Sequence, residues 1–499
     1  MKILVENTSS RIIVGGKDNL LPVDLFKEID DYLSVQSPGA RYVKAYKKGQ
    51  WDGMQRFMNK KGVFATGFLP NVISYAEELG AKIEIEDNRT NLPFLVSEKH
   101  RVWEHYKDWE ARDYQQDIVN VFDNHIEYGD GNLLYWPRGI ANAATNAGKN
   151  SVICCLLKNL DKTKALVLID SQEIFDQLVE FLSVDFPRLG VINSKKFEWG
   201  DEVTIAMVRT LYSRMKKSVD IAVKVKTMFN TIVVDECHGA SSTAHSEVIQ
   251  NCDAGMRVMV SGSPLDNSNV INNMVILGLS GPVISTVTKK QLQDMGHSLK
   301  VKVTLHHNKT LFEGGYGDEY DEELYQGILA SEERIKLIID IVKARSDKKI
   351  MINFIEIAHG ELMYTRLKEA GIDKVDWVHG TDPNRKQKLE DYKAGKIMVL
   401  ISSTILKQGI NVHDINALIY AQGGKALIPL KQWTGRIERN DGVSQSVEVH
   451  DFWDNGKYLE KHSRKRLNFY MEEGFEIIYN YAQKRGRPVA VAQTKLNLL

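Results

Sequence analysis

The chain has 499 residues, 43% hydrophobic and 26% charged, an ordinary globular composition too long for one core and sized for about three domains. Its 65 basic and 65 acidic residues cancel, which excludes a generally basic, histone-like binder but allows local phosphate-binding patches. Four cysteines without CxxC spacing argue against a disulfide framework or zinc site, and no apolar run reaches signal-peptide or membrane-spanning length, so a soluble cytoplasmic protein without membrane contact is expected.

Residues 1–95 read as a small α+β unit. Ile12 to Val14 is a predicted strand ending at Gly15 and Gly16, Leu25 to Leu33 a helix, and Lys82 to Ile85 another strand. Between them cations and aromatics interleave: Arg41, Tyr42, Lys44, Tyr46, Lys47, Lys48, Trp51, Arg56 and Phe57. Cations suit phosphates and rings suit stacking on exposed bases. Lys44, Lys47, Lys48, Trp51 and Arg56 are therefore nucleic-acid candidates, against the plainer alternative of a core tryptophan among solvated lysines.

From about residue 105 short apolar strands alternate with longer helical stretches. Ala165–Ile169, Val203–Val208, Thr231–Val234 and Val258–Val260 form one series. Lys349–Phe354, Val375–Val378, Ile397–Ile401 and Ala417–Tyr420 form a second. Each series carries the βαβ signature of a parallel sheet. The expected organisation is a first α/β lobe over residues 100–285, a second over 300–475, a connection within 285–325, and a peripheral basic tail over 476–499.

Thr145, Asn146, Ala147, Gly148, Lys149 and Asn150 form a loop ahead of an apolar helix beginning at Ser151. Such a loop wraps backbone N–H groups around phosphates, the helix N-terminus adds partial positive charge, and Lys149 reaches the β- and γ-phosphates. Asn150 stands where a hydroxyl residue normally ligates Mg²⁺. Its side-chain carbonyl is a hard oxygen that could serve, or Ser151 could shift in. ATP and Mg²⁺ are thus the expected cofactors.

The strand Thr231–Val234 runs into Asp235, Glu236, Cys237 and His238. Asp235 at the strand end suits Mg²⁺, and Glu236 suits polarising the attacking water. His238 is placed to sense the γ-phosphate. Downstream, Ser261, Gly262, Ser263 and Pro264 follow another strand, where small hydroxyl residues can bridge a nucleotide site to a nucleic-acid site.

In their order and spacing, the loop with Lys149, the Asp235-to-His238 box and the Ser261-to-Pro264 turn resemble the superfamily 2 DExH-box helicases. The resemblance covers about residues 105–475 and implies two tandem RecA-like lobes with parallel sheets, preceded by the small α+β domain. By that resemblance Arg112 and Gln115 belong to a segment whose Gln reads adenine. Thr210 falls in a motif touching the nucleic-acid backbone, and Ser171 or Gln177 takes a similar role where a Pro-Thr pair is usual. Ser403, Thr404 and Gly409 occupy a second-lobe motif, which carries Asn411 where Asp is frequent. Gln432, Arg436 and Arg439 resemble the motif whose guanidinium groups stabilise the charge built up during phosphoryl transfer, with Arg439 as the arginine finger. The Trp51-Asp52-Gly53 segment and Phe68-Leu69-Pro70 ahead of such a core resemble phage branch-migration helicases of the UvsW type. That resemblance implies branched DNA as substrate: forks, Holliday junctions and D-loops, in recombination, repair or replication. RNA, and recombination or replication proteins, stay open as further partners. Two alternatives stand beside it: a motor subunit of a restriction or translocase complex without strand separation, and a nucleotide-gated DNA clamp with weak turnover.

Overall fold

The structure, a computed structural model, describes residues 1–13, 23–105, 109–266, 269–309, 319–403, 415–424 and 446–480. The chain divides into two units, the first ending at Thr288 and the second beginning at Lys289.

The first unit opens with a four-stranded sheet in the spatial order Val63–Ala65, Ser9–Ile13, Lys2–Val5, Glu84–Asp87. Every second side chain of Lys2–Val5 points inward, so Ile3 and Val5 are buried. They pack with Leu25 and Ile29, one helical turn apart on Val23–Tyr32, and with Leu69, Val72 and Ile73 of the Leu69–Glu78 helix. Pro70 lies in that helix's first turn, where its missing N–H costs nothing.

The rest of this unit is built on an eight-stranded sheet. Its order is Phe197–Glu198, Gly190–Ile192, Val203–Met207, Ala165–Ile169, Thr231–Asp235, Met256–Ser261, Arg138–Ala143, Val283–Val287. Only the Phe197–Glu198 pairing is antiparallel. The central strands Ala165–Ile169 and Thr231–Asp235 are buried at every position, as continuous aliphatic runs in a covered parallel sheet require.

Arg138 and Asn7 fasten the small N-terminal sheet to this one. Arg138 and Arg257 pair across neighbouring strands and are fully buried, with no acidic partner among the described residues. Backbone carbonyls satisfy them: Arg138 donates to Ser280 (2.7 Å) and Asn7 (2.9 Å), and Arg257 to Cys252 (2.6 Å). The Asn7 side chain in turn donates to the Asp253 carbonyl at 2.9 Å. At Gly67 a Cβ would lie 2.1 Å from the Leu277 carbonyl oxygen, so only glycine allows this approach of the two sheets' surroundings.

Among the described residues the second unit is built on a seven-stranded, all-parallel sheet. Its order is Val375–Val378, Val399–Ser403, Ile350–Phe354, Ala417–Ile419, Ser446–Asp454, Lys300–Asn308, Glu476–Asn480. Two boundaries differ from the sequence expectation. Val283–Val287 and Lys300–Asn308 are strands inside the two sheets, so most of the expected 285–325 connection is sheet and helix. Glu476–Asn480 is an edge strand, where a tail was expected to begin. Parallel pairing with Lys302–His306 supplies the ladder that a half-exposed five-residue segment cannot announce by hydrophobicity.

Buried ionisable groups knit this unit. Arg334 pairs with Asp454, and Arg466 with Asp451 at 2.8 Å, all almost wholly buried. His306 and His450 share a hydrogen bond of 2.9 Å, and burial pushes both down, His306 to about 4. Burial also pushes His359 down to about 3. A histidine whose folded pKa is depressed binds fewer protons folded than unfolded between that pKa and about 6.5. Stability is therefore present above pH 6.5 and is lost as pH falls toward 4, by up to about 1.4 kcal/mol per pH unit for each group. Urea unfolding of the second unit is expected to show a lower midpoint at pH 5 than at pH 7, and His359→Leu is expected to flatten that difference.

Candidate functional site

The phosphate-type loop lies where parallel α/β sheets gather their chemistry, at the carboxyl ends of the strands. It leaves the strand Arg138–Ala143 and enters the helix Lys149–Lys158. Two of its residues adopt left-handed backbone, Asn146 at φ 73° and Gly148 at φ 71°. A Cβ on Gly148 would meet Gln115 Nε2 at 2.3 Å, so the loop's close turn depends on that glycine. Gln115 is buried, donates to the Ala147 carbonyl at 2.8 Å, and accepts from the Arg112 backbone N–H at 2.9 Å. The Tyr114 hydroxyl donates to the same Ala147 carbonyl at 3.2 Å. The amide from which adenine reading was expected thus braces the loop from behind. Sequence spacing carried no signal for this brace, because it joins residues more than thirty positions apart.

Lys149 pairs directly with Glu236. Burial pulls the Lys149 ammonium down, but the carboxylates of Glu236 and Asp235 outweigh it and hold it above its ordinary value. Asp235 ends its strand 4% exposed, and its Oδ1 has no hydrogen-bond partner among the described residues. Burial lifts its carboxyl to about 6 against the pull of Lys149. Glu236, at φ 51°, turns its side chain back toward the loop. Burial pushes its carboxyl up, yet the His238 hydrogen bond and the Lys149 charge hold it at about 2. The Ser261 hydroxyl donates to Glu236 Oε2 at 3.1 Å, and His238 Nδ1 lies 3.3 Å from that oxygen and 3.4 Å from the hydroxyl. The structure therefore brings Lys149, Asp235, Glu236, His238 and Ser261 into one cluster.

Around it, Asn150 is half-buried in the first turn of the helix, its amide without a partner among the described residues, and Ser151 beside it is buried. Thr145 is exposed at the loop tip. Thr210 sits in the first turn of the helix Val208–Lys217, and Ser171 precedes the helix Gln172–Ser183. Asp170, a carboxylate unfavourable beside a phosphate track, pairs with Arg209 at 3.6 Å. In the second unit Ser403 ends the strand Val399–Ser403, buried. Thr404, Gly409, Asn411, Gln432, Arg436 and Arg439 lie outside the described residues.

In the N-terminal domain Lys44, Lys47 and Lys48 are exposed on and just after the short helix Lys44–Lys47. Trp51 is half-buried and donates its indole N–H to the Met54 carbonyl at 3.0 Å. Arg56 is held by Asp30 at 3.0 Å and Asp52 at 2.6 Å. Among the described residues the lysines have no carboxylate partner, whereas the arginine's charge is met within the domain.

Three family profiles match the chain: "Type III restriction enzyme, res subunit" over residues 108–266, "Helicase conserved C-terminal domain" over 333–441, and "DNA helicase UvsW, N-terminal" over 20–86. The ATP-dependent DNA helicase uvsW of Enterobacteria phage T4 is 24% identical over 92% of this chain and 94% of its own length. A putative helicase of a Sulfolobus islandicus filamentous virus is 25% identical over 74% of this chain and 69% of its own. Among solved structures, T4 UvsW aligns over 96% of this chain and 99% of its own, with 20% identity and a TM-score of 0.43. The DNA-bound Type ISP restriction-modification enzyme LlaBIII aligns over 74% of this chain and 31% of its own, with 13% identity and a TM-score of 0.53, a likeness of fold. Among the described residues no helix is long and apolar enough to cross a membrane.

Proposed function

We propose, from the premise that this chain is a superfamily 2 helicase of the UvsW type, that its ATP-driven cycle remodels branched DNA through the Lys149–Glu236 cluster. That cluster is the observation that carries the reading. A lysine and two carboxylates packed at the mouth of a phosphate-type loop leave an excess of negative charge beside a buried carboxylate, a poor stabilising group without a further ligand. The lysine suits phosphate oxygens and the excess carboxylate suits a divalent cation, so the cluster fits a magnesium-bound triphosphate. Its oxygens compete for Lys149, which leaves Glu236, and Glu236 then rises from its clamped state toward a pKa at which it accepts a proton from water.

The residues fit a magnesium ion. Asp235 Oδ1 is a buried, hard, unpartnered oxygen, and among the described residues no cluster of three or more His, Cys, Asp or Glu side chains stands ready for a metal. One carboxylate with Asn150 or Ser151, completed by phosphate oxygens and water, is the usual Mg²⁺ arrangement. When bound, the ion neutralises phosphate charge. Arg436 and Arg439 are proposed to supply the guanidinium charge for phosphoryl transfer. Thr210, Ser171, Ser403 and Thr404 are proposed to hold the DNA backbone, and Lys44, Lys47 and Lys48 to meet phosphates on the N-terminal domain. DNA is the proposed partner, with the cytoplasm as the place of action, the host's if the chain is phage-encoded.

The reading is tested by ATP turnover measured side by side with single-stranded DNA, duplex, fork, Holliday junction and RNA. The largest stimulation is expected with the branched DNAs; equal turnover with and without nucleic acid would refute it. Asn150→Thr separates a competent site from a weakened one. If the Asn150 carbonyl serves the metal, turnover is expected to change less than about threefold. A rise of tenfold or more, equivalent to about 1.4 kcal/mol in the barrier, would favour the weak-turnover clamp.

A further inference from the structure

Residues 208–228 carry six cations (Arg209, Arg214, Lys216, Lys217, Lys224 and Lys226) and one carboxylate, Asp220, in a chain whose charges cancel overall. They form two helices, Val208–Lys217 and Val219–Met228. Two of the cations are spoken for: Arg209 pairs with Asp170, and Lys216 with Glu247. The other four are exposed, and none has a carboxylate partner among the described residues.

Helical geometry orders them. Thr210, Arg214 and Lys217 stand at i, i+4 and i+7, on one face, so Arg214 and Lys217 lie about 6 and 10 Å beyond Thr210 along the axis. The opposite face, with Val208 and Leu211, is buried. Beside them, the Arg214 guanidinium sits 5.6 Å above the Phe197 ring and the Lys224 ammonium 5.0 Å above Trp199. The two rings meet edge to face at 5.4 Å. Cation–π contacts hold both side chains in place without neutralising them, whereas a carboxylate partner would have cancelled the charge.

We propose that Lys217, together with Arg214 and Lys224 set over the Phe197–Trp199 ring pair, forms a phosphate-binding tract that continues the DNA path from Thr210 along the surface of the first unit. The occupant is the phosphodiester backbone of DNA, taken without regard to sequence, because the tract offers fixed positive charge and no arrangement for reading base edges. The proposal rests on the helicase reading in taking Thr210 as a backbone contact.

The test is the salt dependence of affinity for a fork with long duplex arms, by fluorescence anisotropy. Each phosphate contact removed makes the log–log slope shallower by about 0.9. The combined variant Arg214→Gln, Lys217→Gln, Lys224→Gln is expected to lose about 2–3 from the slope. A control removing Lys82, Lys99 and Lys162, exposed in the same unit, is expected to keep it. If the combined variant melts early, Lys217→Gln alone, which has no ring contact, is expected to lose about 1. A parental slope in the folded variants, or an equal loss in the control, overturns the tract while leaving the helicase reading standing. A parent chain that binds no DNA at any salt overturns both.

Discussion

Lys149→Ala is expected to lower DNA-stimulated ATP turnover on the order of 10²–10³-fold, the usual cost of removing one preorganised charge from a transition state (about 2.7–4 kcal/mol). The structure gives two reasons. The ammonium packs between loop and acidic box, bonded to Glu236. It also holds down two neighbouring carboxylates. Without it Asp235, already lifted to about 6 by burial, rises further and spends more of its time protonated, unable to serve a metal. Nucleotide affinity is expected to fall along with turnover, since the lysine meets phosphate in ground and transition states alike. Steady-state turnover together with a fluorescent-nucleotide titration checks both parts.

Glu236→Gln is expected to separate those two effects. The amide keeps the size and the hydrogen bond accepted from Ser261 but cannot take a proton from water. Turnover is expected to fall by about 10²–10⁴-fold, the range for a lost general base, while nucleotide affinity holds or improves, because Lys149 no longer has a carboxylate to leave. Single-turnover hydrolysis with saturating DNA measures the chemical step directly. Near-parental hydrolysis in this variant would remove Glu236 from the role of base and reduce it to a counter-ion for Lys149.

Much of this was legible in the residues. Aliphatic runs such as Ala165–Ile169 and Thr231–Val234 appear as fully buried central strands, because a strand covered on both faces has no polar alternation to disguise it. The loop and the acidic box read directly because each needs fixed residue types at fixed spacing. Other parts had no such signature. The strand Arg138–Ala143, with glycine, asparagine and two alanines, lacks β-branched weight and shows itself only by its parallel partners on either side. Lys300–Asn308 begins by alternating lysine with valine, a pattern that suits an exposed ribbon as well as a sheet. Gln115 bracing Ala147, and Arg56 tied to Asp30 and Asp52, depend on which distant residues fold close, and no local pattern records that. The cations of 208–228 were countable in the sequence, but their common face and their seats over Phe197 and Trp199 required the fold.

The most direct measurement of the central claim is conversion of a labelled Holliday junction or fork to its separated arms by the purified chain, with ATP and magnesium, followed on a native gel. Product is expected to appear with ATP, to fail with a non-hydrolysable analogue, and to fail with Lys149→Ala. Vigorous DNA-stimulated ATP hydrolysis with no strand rearrangement on any branched substrate would contradict it, and would point to a translocase that moves on DNA without remodelling it.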